Sequence, residues 1–410
     1  MKILIISQYF WPESFKINEI AEYLVKKGHE VEVLTGIPNY PHGKYYEGYG
    51  VFKKKDEVYE GIKIHRVFIA PRGTGRSDKR LIPNYLTYVV SASCAMLWRL
   101  NKKYDTVMVF AVSPITQAYP AMLLKKFKKT PLCMYLCDLW PDTLFSHGIG
   151  KSKIKSFLTN RCSAIYKRFD KMLTSSMGFG SRLIDYGCKA EDIEYFPNWA
   201  ESIYMPVEGY DDVRKKFGIK SDDFVVMFAG NIGFAQSVDT IIAAAEILKE
   251  HDDIKFIFVG EGTEKQWCID FCKEKNITSC YFLERQNVSN MSKVISESDV
   301  MLVTLKNKDN YALTLPSRVQ SFMACKKPII ACANGETSRV IKEANAGLTC
   351  NGEDTKGLAE CIKNMYEMPI KMREKFGQNG FDYNNSFFNE EILLSKMENV
   401  LFEASKQREM

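Results

Sequence analysis

Residues 311–337 read YALTLPSRVQSFMACKKPIIACANGET. A polar loop leads into a Pro-Ser step, a short helix follows through Ser321–Cys325, and the apolar run Ile329–Cys332 reads as a strand, so the stretch is one α/β unit. Pro316 suits a first helical turn, because its fixed φ and missing N–H cost nothing there. The amides around Ser317 and Arg318 are then left without helical acceptors, and free amides at a helix start attract phosphate. Gly335-Glu336 makes a further turn beyond the strand, where the carboxyl ends of strands in an open α/β sheet form a crevice. On its own the stretch is an ordinary αβ connection; the rest of the chain decides what it is for.

Upstream, the same strand-turn-helix pattern recurs. Phe224–Gly230 (FVVMFAG) opens a sheet, residues 231–236 make a turn, and a helix begins at Asp239. Gly230 and Gly233 permit close backbone approach to a ligand. Lys255–Gly260 is a strand ending in Gly260-Glu261-Gly262, Tyr281–Leu283 another ending in Glu284-Arg285-Gln286, and Asp299–Leu305 leads into the opening stretch. Four turns, Gly230–Gln236, Gly260–Gly262, Leu283–Gln286 and Leu313–Glu336, should therefore converge on one crevice. Near the chain end, Phe376–Tyr383 contains glycines, Asn384–Asn389 is polar, and a helical pattern resumes over Glu390–Gln407.

The first half also alternates strand and helix. Lys2–Ser7 is a β-branched run, Ile17–Lys27 carries a helical apolar face stopped by Gly28, and Glu30–Thr35 is a second strand. The first loop has no GxGxxG, which disfavours a dinucleotide cofactor and leaves Trp11-Pro12-Glu13 for another task. Asn39-Tyr40-Pro41-His42-Gly43 is a turn-rich loop, and a basic stretch runs from Lys53 to Arg80. Leu81–Leu100 (LIPNYLTYVVSASCAMLWRL) is uncharged from Leu81 to Trp98. About 20 apolar residues can span a bilayer, but Asn84, Thr87, Ser91 and Ser93 give this segment a polar side, so a buried helix is expected, with a membrane-dipping one as the alternative. Pro131–Leu136 is a strand with Asp138-Leu139-Trp140-Pro141-Asp142 at its carboxyl end. Either carboxylate could take a proton from an acceptor hydroxyl; Asp142 could equally cap the next helix, and His147 is a weaker candidate.

The Pro-containing polar stretch around Glu194–Gly209 separates two α/β blocks, giving domains 1–197 and 198–387, with the last helix, 388–410, returning to the first. With 410 residues, 46% apolar and 26% charged, the chain is an ordinary globular protein. Its charge is uneven: residues 1–200 carry 30 basic and 18 acidic side chains, the remainder 26 and 32. No nucleic-acid motif accompanies the basic half, which points to an anionic membrane surface instead. Twelve cysteines lack zinc-site spacing and are read as free thiols. The opening MKILIISQYFWPE lacks the features of a signal peptide, so a cytoplasmic location is expected.

The ordered set QYFWPE, KKGHEVEVLTGIPNYP, DLWPD, FPNW, FAGNIGFAQ, FVGEG and LPSRVQSFMACKKPIIA with NGE resembles the retaining glycosyltransferases of family four nearly end to end. The resemblance implies the GT-B architecture, two Rossmann-like domains facing a cleft. QYFWPE, GNIGFAQ and PSRVQS look most like the branch that adds N-acetylated amino sugars such as N-acetylfucosamine to lipid-linked precursors of O-antigen or capsule. A departure matters: where the family commonly has two glutamates eight positions apart, this chain has Leu313 and Ser321. The ribose contact is thereby in doubt, with Glu336 or Glu261 as replacements. An arginine, Arg318, stands where a lysine is common.

On this reading the donor is a UDP-sugar, bound by Gly230, Asn231, Gly233, Gln236, Gly260, Glu261, Arg285, Pro316, Ser317, Ser321, Gly335 and Glu336. The acceptor is a saccharide on a polyprenyl diphosphate, met by Trp11, Asn39 and Asp142, with Asp138, Arg318 and Glu13 as catalytic candidates. There is no DxD motif, so no metal or cofactor is expected; amides near Gly233 and Ser317 and the guanidinium of Arg318 or Arg285 would stabilise the leaving phosphate. The enzyme would sit peripherally on the inner face of the plasma membrane. Two alternatives share the architecture: a UDP-sugar 2-epimerase, which needs no acceptor site, and a non-catalytic partner in polysaccharide assembly.

Overall fold

A computed structural model describes residues 1–73, 78–98, 102–146 and 152–406; His147, one of the sequence candidates, and the last four residues of the C-terminal segment lie outside them. The chain divides into two compact units, Met1–Phe196 with Glu391–Met410, and Pro197–Glu390.

Unit 1 is built on eight strands: β1 (Lys2–Ile6), β2 (Glu30–Gly36), β3 (Asp56–Tyr59), β4 (Ile62–Val67), β5 (Thr106–Ala111), β6 (Leu132–Leu136), β7 (Lys171–Thr174) and β8 (Ile193–Tyr195). Their order is β3-β4-β2-β1-β5-β6-β7-β8, parallel except for the β3–β4 hairpin. The central strands are continuous apolar runs buried on both faces, as a helix-covered parallel sheet requires. Helix Glu390–Lys406 belongs to this unit: Glu398 accepts from Tyr23 Oη at 3.3 Å and pairs with His29 Nε2 at 2.9 Å, while Lys396 reaches Glu194 at 3.1 Å.

Helix Asp78–Trp98 is not the buried helix expected from its hydropathy. Only one stripe, Asn84, Tyr88, Ala92 and Met96, turns inward. The opposite stripe, Ile82, Leu86, Val90 and Trp98, is exposed, Trp98 to 87%. Total hydropathy counts apolar residues without regard to angle around the axis, and here they fall on two faces. No described helix is long and apolar enough to cross a membrane.

Unit 2 has six parallel strands: β9 (Phe224–Ala229), β10 (Ile254–Val259), β11 (Cys280–Leu283), β12 (Val300–Thr304), β13 (Ile329–Cys332) and β14 (Gly347–Cys350), in the order β11-β10-β9-β12-β13-β14. The order reverses at β9, whose neighbours are β10 and β12, so the loops after β9, β10 and β12 open beside a topological switch point. Residues 376–387 are helical rather than a break: helix Ile370–Phe387 is continuous. Its glycines serve close packing, since a Cβ on Gly377 would lie 2.3 Å from the Lys326 carbonyl oxygen.

Candidate active site

Around the switch point, a cavity of about 590 Å³ is lined by Gly230, Asn231, Gly260, Glu261, Gly262, Arg285, Gln286, Ser317, Arg318 and Ser321, with Tyr204, Val288, Met291, Ile295 and Phe322 among its less polar walls. Residues from all four anticipated turns therefore meet. Gly233, Gln236, Pro316, Gly335 and Glu336 do not line this cavity. Gly335 borders a separate one of about 470 Å³ with Asn334 and Ser338. Glu336 is 5% exposed and forms an ion pair with Arg339 at 3.0 Å, so of the two proposed ribose acceptors only Glu261 faces the cavity, with Lys265 2.6 Å from it.

Helix Arg318–Ala324 begins at the cavity wall with Ser317 as N-cap and no side-chain cap. Val319 donates to the Pro316 carbonyl at 3.0 Å, while among the described residues the Ser317 and Arg318 amides have no acceptor. In the loop after β9 the Gly233 amide, expected to serve an anion, donates instead to the Asn231 carbonyl at 3.1 Å, while among the described residues the Asn231 amide has no acceptor. Asn231 Nδ2 and Gln236 Oε1 are 3.2 Å apart, a neutral amide pair beside this loop.

Arg318 dominates the electrostatics. Its guanidinium packs 5.2 Å from the centre of the Phe228 ring and has no carboxylate partner among the described residues. Burial lowers its pKa to about 10, which leaves it cationic at neutral pH. Arg285, on the loop after β11, is exposed at the same cavity and also lacks an ion-pair partner among the described residues. A desolvated guanidinium, an exposed one and three unsatisfied amides at one cavity form a receptor for an anion.

The glycines shape this receptor more by loop packing than by ligand approach. Gly260 has φ +143°, and a Cβ there would stand 2.0 Å from the Gly230 carbonyl oxygen; one on Gly262 would stand 2.0 Å from that of Ile232. Several cavity residues went unnoticed in the sequence, Val288, Met291 and Ile295 among them. Tyr204, in the stretch read only as a linker, reaches the cavity beside Ser321, and burial raises the pKa of its hydroxyl. Phe322 supplies an apolar wall.

In unit 1 the candidates form two groups. Glu13 is 1% exposed and accepts the backbone N–H of Asn39 and Tyr40, both at 2.7 Å, and of Phe10 at 3.3 Å. Burial raises its pKa to about 7 against the pull of those amides and of Arg66. The contacts tie the loop after β1 to the loop after β2. Asn39 is fully buried, donating to the Ile37 carbonyl at 2.9 Å, and Trp11 stacks on Tyr59 at 4.1 Å between ring centres. After β6, Asp138 accepts from Ser113, Thr143 and Trp140 Nε1, the last at 3.2 Å. Asp142 opens helix Asp142–Ser146, accepts from the Tyr186 hydroxyl and lies 3.3 Å from Arg182 Nε.

The profile described as "Glycosyl transferase 4-like domain" matches residues 16–199, and "Glycosyl transferases group 1" matches residues 210–383. The two profiles together span most of the chain, which is a glycosyltransferase. WcaI of Escherichia coli K12, which carries the name of a colanic acid biosynthesis glycosyl transferase, is 24% identical over 375 residues, 88% of each chain. Glycosyltransferase WbjE of Pseudomonas aeruginosa is 25% identical over 265 residues, 61% of this chain and 65% of its own. HepE of Anabaena, solved in complex with UDP, superposes with a TM-score of 0.73 at 15% identity over 98% of this chain and 100% of its own. Sucrose-phosphate synthase of Thermosynechococcus elongatus gives 0.76 at 15% identity, over 98% and 99%. The fold of this glycosyltransferase is GT-B, with two Rossmann-like domains, and the protein is an enzyme.

Proposed function

We propose that this glycosyltransferase moves an N-acetylated amino sugar, N-acetylfucosamine first among the candidates, from a UDP-sugar to a lipid-diphosphate-linked saccharide in bacterial surface polysaccharide assembly, with retention and without a metal. The observation that carries the reading is the unpaired Arg318 guanidinium at one cavity with the Asn231, Ser317 and Arg318 amides. Breaking the anomeric bond places growing negative charge on the departing diphosphate, and fixed donors in a partly desolvated cavity stabilise such charge without reorganising. Arg318 is the cation at that phosphate, and Arg285 the second.

The helix from Arg318 orders the rest of the donor. Ser321 lies one turn beyond Ser317, about 6 Å along the axis, and with Tyr204 on the same cavity it offers neutral hydroxyls to the ribose. Val288, Met291, Ile295 and Phe322 form the apolar end that suits a flat base. Unit 2 is thus the donor domain and unit 1 the acceptor domain, with Asp138 as the carboxylate that receives the acceptor's hydroxyl proton. Two observations support a lipid-linked acceptor and a peripheral place on the inner membrane face: the basic excess of residues 1–200 and the exposed stripe of helix Asp78–Trp98. The name of WcaI and the UDP bound to HepE agree in class.

The purified enzyme, given a panel of UDP-N-acetyl sugars with lipid-diphosphate acceptors, tests the assignment through release of UDP. Release that requires both sugar donor and acceptor supports it. Conversion of the sugar without acceptor would mean an epimerase, and no turnover with any donor a binding protein.

A further inference from the structure

We infer that Arg72 and Arg80, on the carboxyl side of β4 in unit 1, form a binding site for the diphosphate of a prenyl diphosphate. The inference rests on the lipid-linked acceptor proposed above and names the group that would hold its headgroup.

Arg72 is fixed in place by neutral contacts. Its Nη1 donates to the Tyr9 hydroxyl at 3.0 Å, its guanidinium lies 5.4 Å from the centre of the Tyr40 ring, and its backbone N–H donates to Asn39 Oδ1 at 3.2 Å. Tyr9 is buried and also accepts from Gln8 Nε2 at 3.1 Å, which in turn donates to Asn84 Oδ1 at 2.9 Å. A buried polar network thus orients one cation, and no carboxylate among the described residues pairs with it. Orienting a guanidinium costs side-chain entropy. A fold that does so without supplying an anion has prepared a site for one from outside.

Arg80 brings a second cation alongside. A Cβ on Gly73 would stand 2.5 Å from Arg80 Cδ and 3.1 Å from its Nη1, so this side chain folds back over the residue next to Arg72. Two guanidinium groups are the complement of a diphosphate, each able to bind two oxygens.

The surroundings select a prenyl ester over a free anion. Helix Asp78–Trp98 leaves from this point, and its exposed stripe starts at Ile82, two residues past Arg80. From Ile82 to Trp98 the helix rises about 24 Å, so a hydrocarbon chain whose headgroup sits on Arg72 and Arg80 has an apolar track to follow. Tyr9 and Asn84, near the start of that track, hold the headgroup side rigid.

Calorimetry on the full chain with farnesyl diphosphate, in the presence of saturating UDP, tests the site. Wild type should bind it, farnesyl monophosphate at least tenfold more weakly, and inorganic pyrophosphate more weakly still. Arg72→Gln and Arg80→Gln should each weaken farnesyl diphosphate about tenfold while UDP affinity stays unchanged; Arg80, being exposed, keeps the test valid should Arg72→Gln fail to fold. Wild-type affinity in both variants would overturn the inference and leave the lipid-linked acceptor standing. Displacement of farnesyl diphosphate by UDP would overturn it too, by placing the probe in the donor cavity, and no binding to wild type would remove the lipid-acceptor reading as well.

Discussion

The guanidinium of Arg318 lies against Gly230, where a Cβ would stand 3.1 Å from Arg318 Nη1. Gly230 also has φ +149°, which strains a residue with a side chain. Gly230→Ala should therefore displace the guanidinium and weaken UDP binding about tenfold, which by the usual conversion is about 1.4 kcal/mol. Titration of UDP into the variant measures this; unchanged affinity would mean that Arg318 does not contact the nucleotide.

Arg318 is half-buried and, among the described residues, has no counter-charge, an arrangement that destabilises the free protein. Replacing it with Met should lower turnover by about 10²–10³, the range for loss of one preorganised charge-stabilising donor, without lowering the melting temperature. Calorimetric melting and initial rates on the same preparation check both. A drop of several degrees in Tm would assign the residue to the core instead.

Tyr204 and Ser321 carry no charge, so their contribution is that of ordinary hydrogen bonds, roughly 0.5–1.5 kcal/mol each. Tyr204→Phe should weaken UDP by several-fold and narrow its advantage over 2′-deoxy-UDP. If the variant discriminates the two nucleotides as wild type does, the ribose lies elsewhere.

Glu13 gives unit 1 a pH dependence. In the folded chain burial raises its pKa to about 7, from 4.5 in the unfolded chain, so the folded state holds the proton more tightly. Its stabilising contribution is complete below pH 4.5 and is lost as pH rises through about 7. The full span is about 3 kcal/mol. Thermal unfolding between pH 4.5 and 7.5 should show this decline, and Glu13→Gln should flatten it; an identical slope in the variant would locate the titrating group elsewhere.

Polar substitution on the exposed helix stripe separates membrane contact from folding. Leu86→Gln with Trp98→Ser should leave the melting temperature within about a degree, because both side chains are already in water. Sedimentation with anionic vesicles should fall severalfold. Full retention of vesicle binding would shift the contact to another surface.

Much of the architecture was legible because parallel strands buried on both faces leave an unmistakable run of apolar residues: Thr106–Ala111, Leu132–Leu136 and Phe224–Ala229 are such runs. The cavity followed from strand ends, which is why Gly230, Gly260, Arg285 and Ser317 fall together. What the sequence hid depends on distance rather than order. Gly260 is glycine because the Gly230 carbonyl occupies the space of its Cβ, a contact across thirty positions. Glu336 follows a turn at the carboxyl edge yet points to Arg339, since helical i,i+3 geometry offers it a nearer cation. Tyr204 lies in a Pro-rich connection with no periodicity to mark it, and only the path of that connection brings it to Ser321.

The central claim is that unit 2 holds a nucleoside diphosphate through backbone amides and Arg318, with no cation supplied from solution. Titration of UDP into wild type and Arg318→Met, in buffer containing EDTA, tests it most directly. The account predicts binding to wild type in the chelator and at least tenfold weaker binding to the variant. Equal affinities, or wild-type binding that appears only when magnesium or manganese is added, would contradict it.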